Sequence, residues 1–187
     1  MLIQKYIPSN TLRRSSRPLL GVRFIVAHDT GTVNATALNF ADRFIKTAND
    51  VQASAHAFVD DINIVECIPQ TERALHVRSA PEIDNFIFGV DANDYALGVE
   101  LCYFDSLERS KLAYTQYVDY IKGLHAKYKL DPLKCVVGHY KLDPEKRTDP
   151  INAFKRIGVT WEQFIKDLTI IDKSGIKIKI IELLNQL

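Results

Sequence analysis

Three apolar runs do most to limit what this chain can fold into: Val22-Arg23-Phe24-Ile25-Val26-Ala27-His28, Tyr95-Ala96-Leu97-Gly98-Val99-Glu100-Leu101-Cys102-Tyr103 and Lys134-Cys135-Val136-Val137-Gly138-His139. Each has the length and composition of a strand buried in a sheet. Between them the pattern changes to helical spacing. Leu38, Phe40, Ala41, Phe44 and Ile45 predict a helix over 35–48, with N-cap side chains offered by Thr32 and Asn34. Leu112, Tyr117, Val118, Ile121 and Leu124 predict a long helix over 107–128, entered through Asp105 and Ser106, with His125 at its surface. Thr160-Trp161-Glu162-Gln163 has the form of a capping box before a short helix through Leu168. Ala55–Val59 and Ile62–Val65 flank the acidic pair Asp60-Asp61 as a hairpin, which demands antiparallel pairing. The expected fold class is therefore α/β: a single domain with a mixed central β-sheet flanked by α-helices. From Ser174 onward the pattern is ambiguous, because Ile176, Ile178 and Ile180 alternate like a strand while Ile180–Leu184 reads as helix.

The 187 residues, 47% of them hydrophobic, make one domain with a substantial core. Lys and Arg number 24 against 23 Asp and Glu, which removes the broad positive field of a nucleic-acid binder. No apolar stretch is long enough to cross a bilayer, and Met1-Leu2-Ile3-Gln4-Lys5 lacks the apolar core of a signal peptide. Neither nucleic acid nor membrane is an expected partner, and synthesis in the cytoplasm is the expectation. Cys67, Cys102 and Cys135 sit singly in apolar runs and read as buried thiols rather than a disulfide or thiolate-metal framework. The only basic cluster, Arg13-Arg14-Ser15-Ser16-Arg17, reads as a solvated loop.

Two of the apolar runs deliver a histidine where the chain leaves the sheet, at His28 and His139. One such histidine is ordinary; two, with a carboxylate ten positions after the second, are not. Asp149 lies in the polar loop Asp143–Pro150, long enough to fold back beside His139. Two nitrogens and one oxygen suit Zn²⁺, whose catalytic sites keep a fourth position for water. Glu100 is the second oddity, since a carboxylate in an apolar strand must be paired, neutralised or turned to a polar cleft. Beside such a metal it has the chemistry of a general base, and Arg147, with Lys146 as the alternative cation, could stabilise an oxyanion.

Taken in order, Phe24–His28 with Thr30, Ser54-Ala55-His56-Ala57-Phe58-Val59-Asp60-Asp61, Gly98–Tyr103, Gly138-His139 and Arg147-Thr148-Asp149-Pro150 resemble the zinc-dependent N-acetylmuramoyl-L-alanine amidase family. Peptidoglycan recognition proteins and many phage endolysins share this type 2 amidase fold. The resemblance covers about Val22 to Leu168, and it implies an amidase domain over 1–170 with an unassigned tail over 171–187. It implies one zinc on His28, His139 and Asp149, a catalytic Glu100, and cleavage of the amide between muramic acid and L-alanine in peptidoglycan or a muropeptide. A monomer acting on the cell wall after release is expected.

Four positions depart from the family pattern. Ala55 stands where some relatives carry a catalytic Tyr, which leaves more weight on Glu100. Asp149 takes the place of a common Cys, and Arg147 that of a common Lys. Where the family often shows Trp-His, this chain reads Ala74-Leu75-His76, so His76 joins Thr30 as an expected substrate contact. His56 is expected on its strand near the site, as support or core. A non-catalytic wall binder on the same fold, a cytoplasmic muropeptide-recycling amidase, and an unrelated metal-independent domain are the rival readings.

Overall fold

The computed structural model describes residues 1–78 and 87–170, so the unassigned tail over 171–187, with its ambiguous pattern from Ser174, lies outside the described residues. In chain order these contain β1 (Leu2–Gln4), β2 (Phe24–Val33), α1 (Ala37–Lys46), β3 (Ala57–Val59), β4 (Ile64–Glu66), α2 (Ala92–Tyr95) and β5 (Ala96–Tyr103). There follow α3 (Leu107–Tyr128), β6 (Val136–Gly138), α4 (His139–Leu142), α5 (Ile151–Arg156) and α6 (Trp161–Thr169). The six strands form one sheet in the order β1-β4-β3-β5-β2-β6. It is mixed, as expected: β3 and β4 pair antiparallel, and the other neighbours run parallel.

The hairpin is tied to the first helix by Asp60. Its carboxylate accepts the turn amides of Ile62 and Asn63 at 2.7 and 2.6 Å, and also the first helical amide, Ala37, at 2.8 Å. Because β2 runs on to Val33, the α1 cap falls on Thr36 rather than Thr32 or Asn34, in a capping box with Asn39. Helix α3 has the expected span and its Ser106 cap, and it packs on β5. Its buried face is Ala113, Tyr114, Tyr117, Val118, Ile121, Leu124 and His125. Leu112 falls one position outside that stripe and is 51% exposed. His125, one turn beyond Ile121, falls inside it, which corrects the surface placement.

The basic cluster is also corrected. Arg13 is buried, donating to the carbonyls of Thr47 and Ala53 with its guanidinium over the Phe44 ring. Arg14 forms a two-pronged pair with Glu72 at 2.7 and 2.8 Å. Cys67 and Cys102 are buried free thiols, while Cys135 is partly exposed. Among the described residues no helix is long and apolar enough to cross a membrane.

Candidate metal centre

The central strands β2 and β5 are buried on both faces, and their two-residue period decides what each face receives. Ile25, Ala27, Leu97, Val99 and Leu101 enter the main core on one side. Phe24, Val26 and Ala96 pack with Val137 and Leu142 on the other. Continuing the period, His28, Gly98 and Glu100 belong to this second face, and the register sets His28 directly beside Glu100. Glu100 therefore sits in an interior strand, which excludes an edge position facing water. His139 follows Val137 by two residues at the C-terminal end of β6, where α4 begins.

Asp149 reaches back to both histidines. Its Oδ2 lies 2.9 Å from His28 Nδ1 and 3.1 Å from His139 Nδ1. The loop that carries it is pinned at two points: the Tyr140 amide donates to the Asp149 carbonyl at 3.0 Å, and the Ala153 amide donates to Asp29 Oδ2 at 3.2 Å. All three predicted ligands thus offer donor atoms within 4.8 Å of one another. Tetrahedral ligands at zinc distances stand about 3.3 Å apart, so the cluster needs little adjustment to share one ion. Burial lowers the His28 pKa to about 4, outweighing the pull of Asp149. Burial would raise the Asp149 carboxyl, but the hydrogen bonds from His139 and His28 hold it well below the ordinary range. Neutral imidazoles and an ionised carboxylate are the protonation states a divalent metal requires.

Glu100 faces the same space with Oε2 buried and without a hydrogen-bond partner among the described residues. Burial drives its pKa well above the usual carboxylate value, and the negative charges of Asp149 and Asp29 push the same way, against Arg147. A cavity of about 520 Å³ opens over these groups; Thr30, His76, Lys146 and Arg147 line it, as does Arg78. His76 is buried, with Nδ1 3.1 Å from His28 Nε2, and burial holds its pKa well below the ordinary imidazole value. His56, just before β3, accepts the Gly98 amide on Nδ1 at 3.0 Å and bonds the Glu72 carbonyl through Nε2 at 3.0 Å.

Sequence reasoning missed two contributors. Arg78 brings a further cation to the cavity wall, held by the buried Asp143 at 2.9 Å. Asp29 secures the loop that carries Asp149. A signal existed for Asp29, as a carboxylate directly after the histidine that closes an apolar run; none existed for Arg78, which depends on a partner 65 residues away.

A family model described as N-acetylmuramoyl-L-alanine amidase matches residues 16–152. The chain is 34% identical over 152 residues to the N-acetylmuramoyl-L-alanine amidase BlyA of Bacillus subtilis (strain 168), an alignment covering 73% of this chain and 39% of BlyA. It is 30% identical over 145 residues to the 1,6-anhydro-N-acetylmuramyl-L-alanine amidase AmpD of Escherichia coli (strain K12), covering 77% of this chain and 72% of AmpD. The matched part spans only 39% of BlyA and 39% of CwlL of Bacillus licheniformis, well under half of either. The catalytic domain of XlyA has the same fold, with a TM-score of 0.72 at 24% identity over 90% of this chain and 99% of that one.

Proposed function

The chain belongs to the N-acetylmuramoyl-L-alanine amidase family, and from that premise we propose that it is a zinc-dependent peptidoglycan amidase, cutting the amide between the lactyl group of N-acetylmuramic acid and L-alanine. One observation carries the reading: His28 Nδ1 and His139 Nδ1 converge on Asp149 Oδ2 beside a buried Glu100 oxygen that has no hydrogen-bond partner among the described residues. The filled ligand set and the placed carboxylate favour catalysis over wall binding alone.

His28, His139 and Asp149 would hold the metal. When bound, zinc supplies Lewis acidity, polarising the scissile carbonyl and acidifying water at the site toward a pKa of about 7. Burial and its carboxylate neighbours raise the Glu100 pKa, and positive charge at the site would favour its ionised form. Glu100 then takes a proton from the attacking water and returns it to the departing amide nitrogen. Arg147 sets a fixed positive charge at the cavity wall for the developing oxyanion, with Lys146 as the neighbouring alternative. Thr30 and His76 are the proposed contacts to the sugar-peptide.

The test is purified chain, analysed for zinc and assayed for L-alanine amino groups released from cell wall. Glu100→Gln should keep the zinc and lose about 10²- to 10⁴-fold in rate; undiminished release would remove Glu100 from the mechanism. The likeness to AmpD, which extends over 72% of that protein, supports a second reading in which the substrate is a small anhydro-muropeptide. Rates on intact wall and on anhydro-muropeptides, measured side by side, separate the two.

A further inference from the structure

Behind His28 stands a second imidazole with its own supports. We propose that His76 is a positioning residue that fixes the tautomer and ring orientation of His28, so that His28 turns the lone pair of Nδ1 toward the metal. The inference rests on the zinc reading above and extends it by one residue.

A neutral imidazole has one N–H and one lone pair. Nδ1 of His28 is the nitrogen on the Asp149 side, 2.9 Å from Oδ2; a metal taken up there would leave the proton of His28 on Nε2, and that nitrogen is buried and needs an acceptor. His76 Nδ1 stands 3.1 Å from it, with the two rings nearly perpendicular at 86°. His76 is itself held in place. Its backbone amide and that of Val77 donate to Asn93 Oδ1 at 2.9 and 3.0 Å, and Asn93 Nδ2 returns a bond to the Val77 carbonyl at 3.0 Å. The ring lies on Gly98, where a Cβ would collide with His76 Cγ and come 2.7 Å from Nδ1. Gly98 is anchored in turn by His56, which accepts its amide at 3.0 Å. Three imidazoles and one glycine thus form a stack that ends on the ligand. A partner on the far nitrogen of a metal-bound histidine sets its tautomer and strengthens it as a ligand.

The test compares zinc affinity, by competition with a chromophoric chelator, in the parent chain, H76N, H76L and H76A. H76N keeps an acceptor near the position of Nδ1 and should stay within about threefold of the parent, whereas H76L and H76A should bind about 10- to 100-fold more weakly. Thermal unfolding in chelator establishes that each variant is folded; H76A, which adds no new bulk, carries the comparison if H76L is not. In the cobalt-loaded protein, the exchangeable Nε2 proton of His28 should persist in the parent and H76N and exchange faster in H76A. A parent that takes up one zinc, with H76L and H76A within about twofold of it, would overturn the positioning role alone. A parent that binds no zinc would overturn the metal reading, and this inference with it.

Discussion

His28 lies within β2 and His139 directly follows the neighbouring parallel strand β6; both turn the same nitrogen toward Asp149, but their surroundings differ. His28 lies within an interior strand, paired with Glu100 of β5 and one residue beyond the last β6 pair at Ala27. Its Nε2 meets His76, and its carbonyl accepts the Tyr117 hydroxyl at 3.3 Å. His139 follows an edge strand, opens a short helical turn, and buries an Nε2 that has no hydrogen-bond partner among the described residues. One ligand is set by packing between distant segments and the other by the local path of the chain. The difference shows that one metal cluster can be built by two routes with unequal reserves of support.

Asp149→Ala should have the largest effect, because it removes the oxygen that both histidines face. Zinc should fall from one equivalent to below about a tenth after dialysis, and amidase rate should fall with it. Retained stoichiometric zinc would mean that the histidines hold the ion without Asp149.

Acid comes next, and it should strike the His28 side. Burial lowers the His56 pKa from 6.5 to about 4, against the upward pull of the Glu72 carbonyl. The unfolded chain takes up this proton before the folded one does. Stability from a neutral His56 is therefore complete above about pH 6.5 and is lost as pH falls toward 4, to a total of about 3 kcal/mol. Urea unfolding of metal-free protein across that window should show a shallower loss in H56Q, whose amide keeps one donor and one acceptor. Equal slopes would sink the assignment.

Tyr117→Phe should have the smallest effect. It removes the hydroxyl shared by the carbonyls of His28 and Val99 and should cost about 1 kcal/mol in urea unfolding, with fold and zinc content retained. A cost near zero would mean that water replaces the hydroxyl and that this backing of His28 is dispensable.

The parts of the site set by short-range pattern were legible in the sequence. Apolar runs ending in His28 and His139, and Glu100 inside an apolar run, are local signals that survive folding because a strand's period fixes the face each side chain meets. Asp149 was legible because it follows His139 by ten residues in a polar loop, Asp143–Pro150, long enough to return to it. The support behind His28 was not, since it depends on the hydrogen that stands for a side chain at Gly98 and on Asn93 meeting the backbone of His76 and Val77. Arg13 misled for a similar reason: its cluster reads as solvated, yet carbonyls 34 and 40 residues away satisfy its guanidinium. Strand β1 went unread because three residues at a sheet edge carry no period of their own.

The spacing of the three donors along the chain has a thermodynamic consequence. Asp149 lies 10 residues from His139 but 121 from His28. By the logarithmic growth of loop-closure entropy, bringing in the distant partner costs about 2 kcal/mol more than joining the near one. A partly folded chain can assemble the near pair with β2 still unattached, yet it offers an incoming ion only two of three donors. Affinity should therefore be high only after β2 has entered the sheet, so that by mass action an occupied centre stabilises the whole sheet rather than the loop alone.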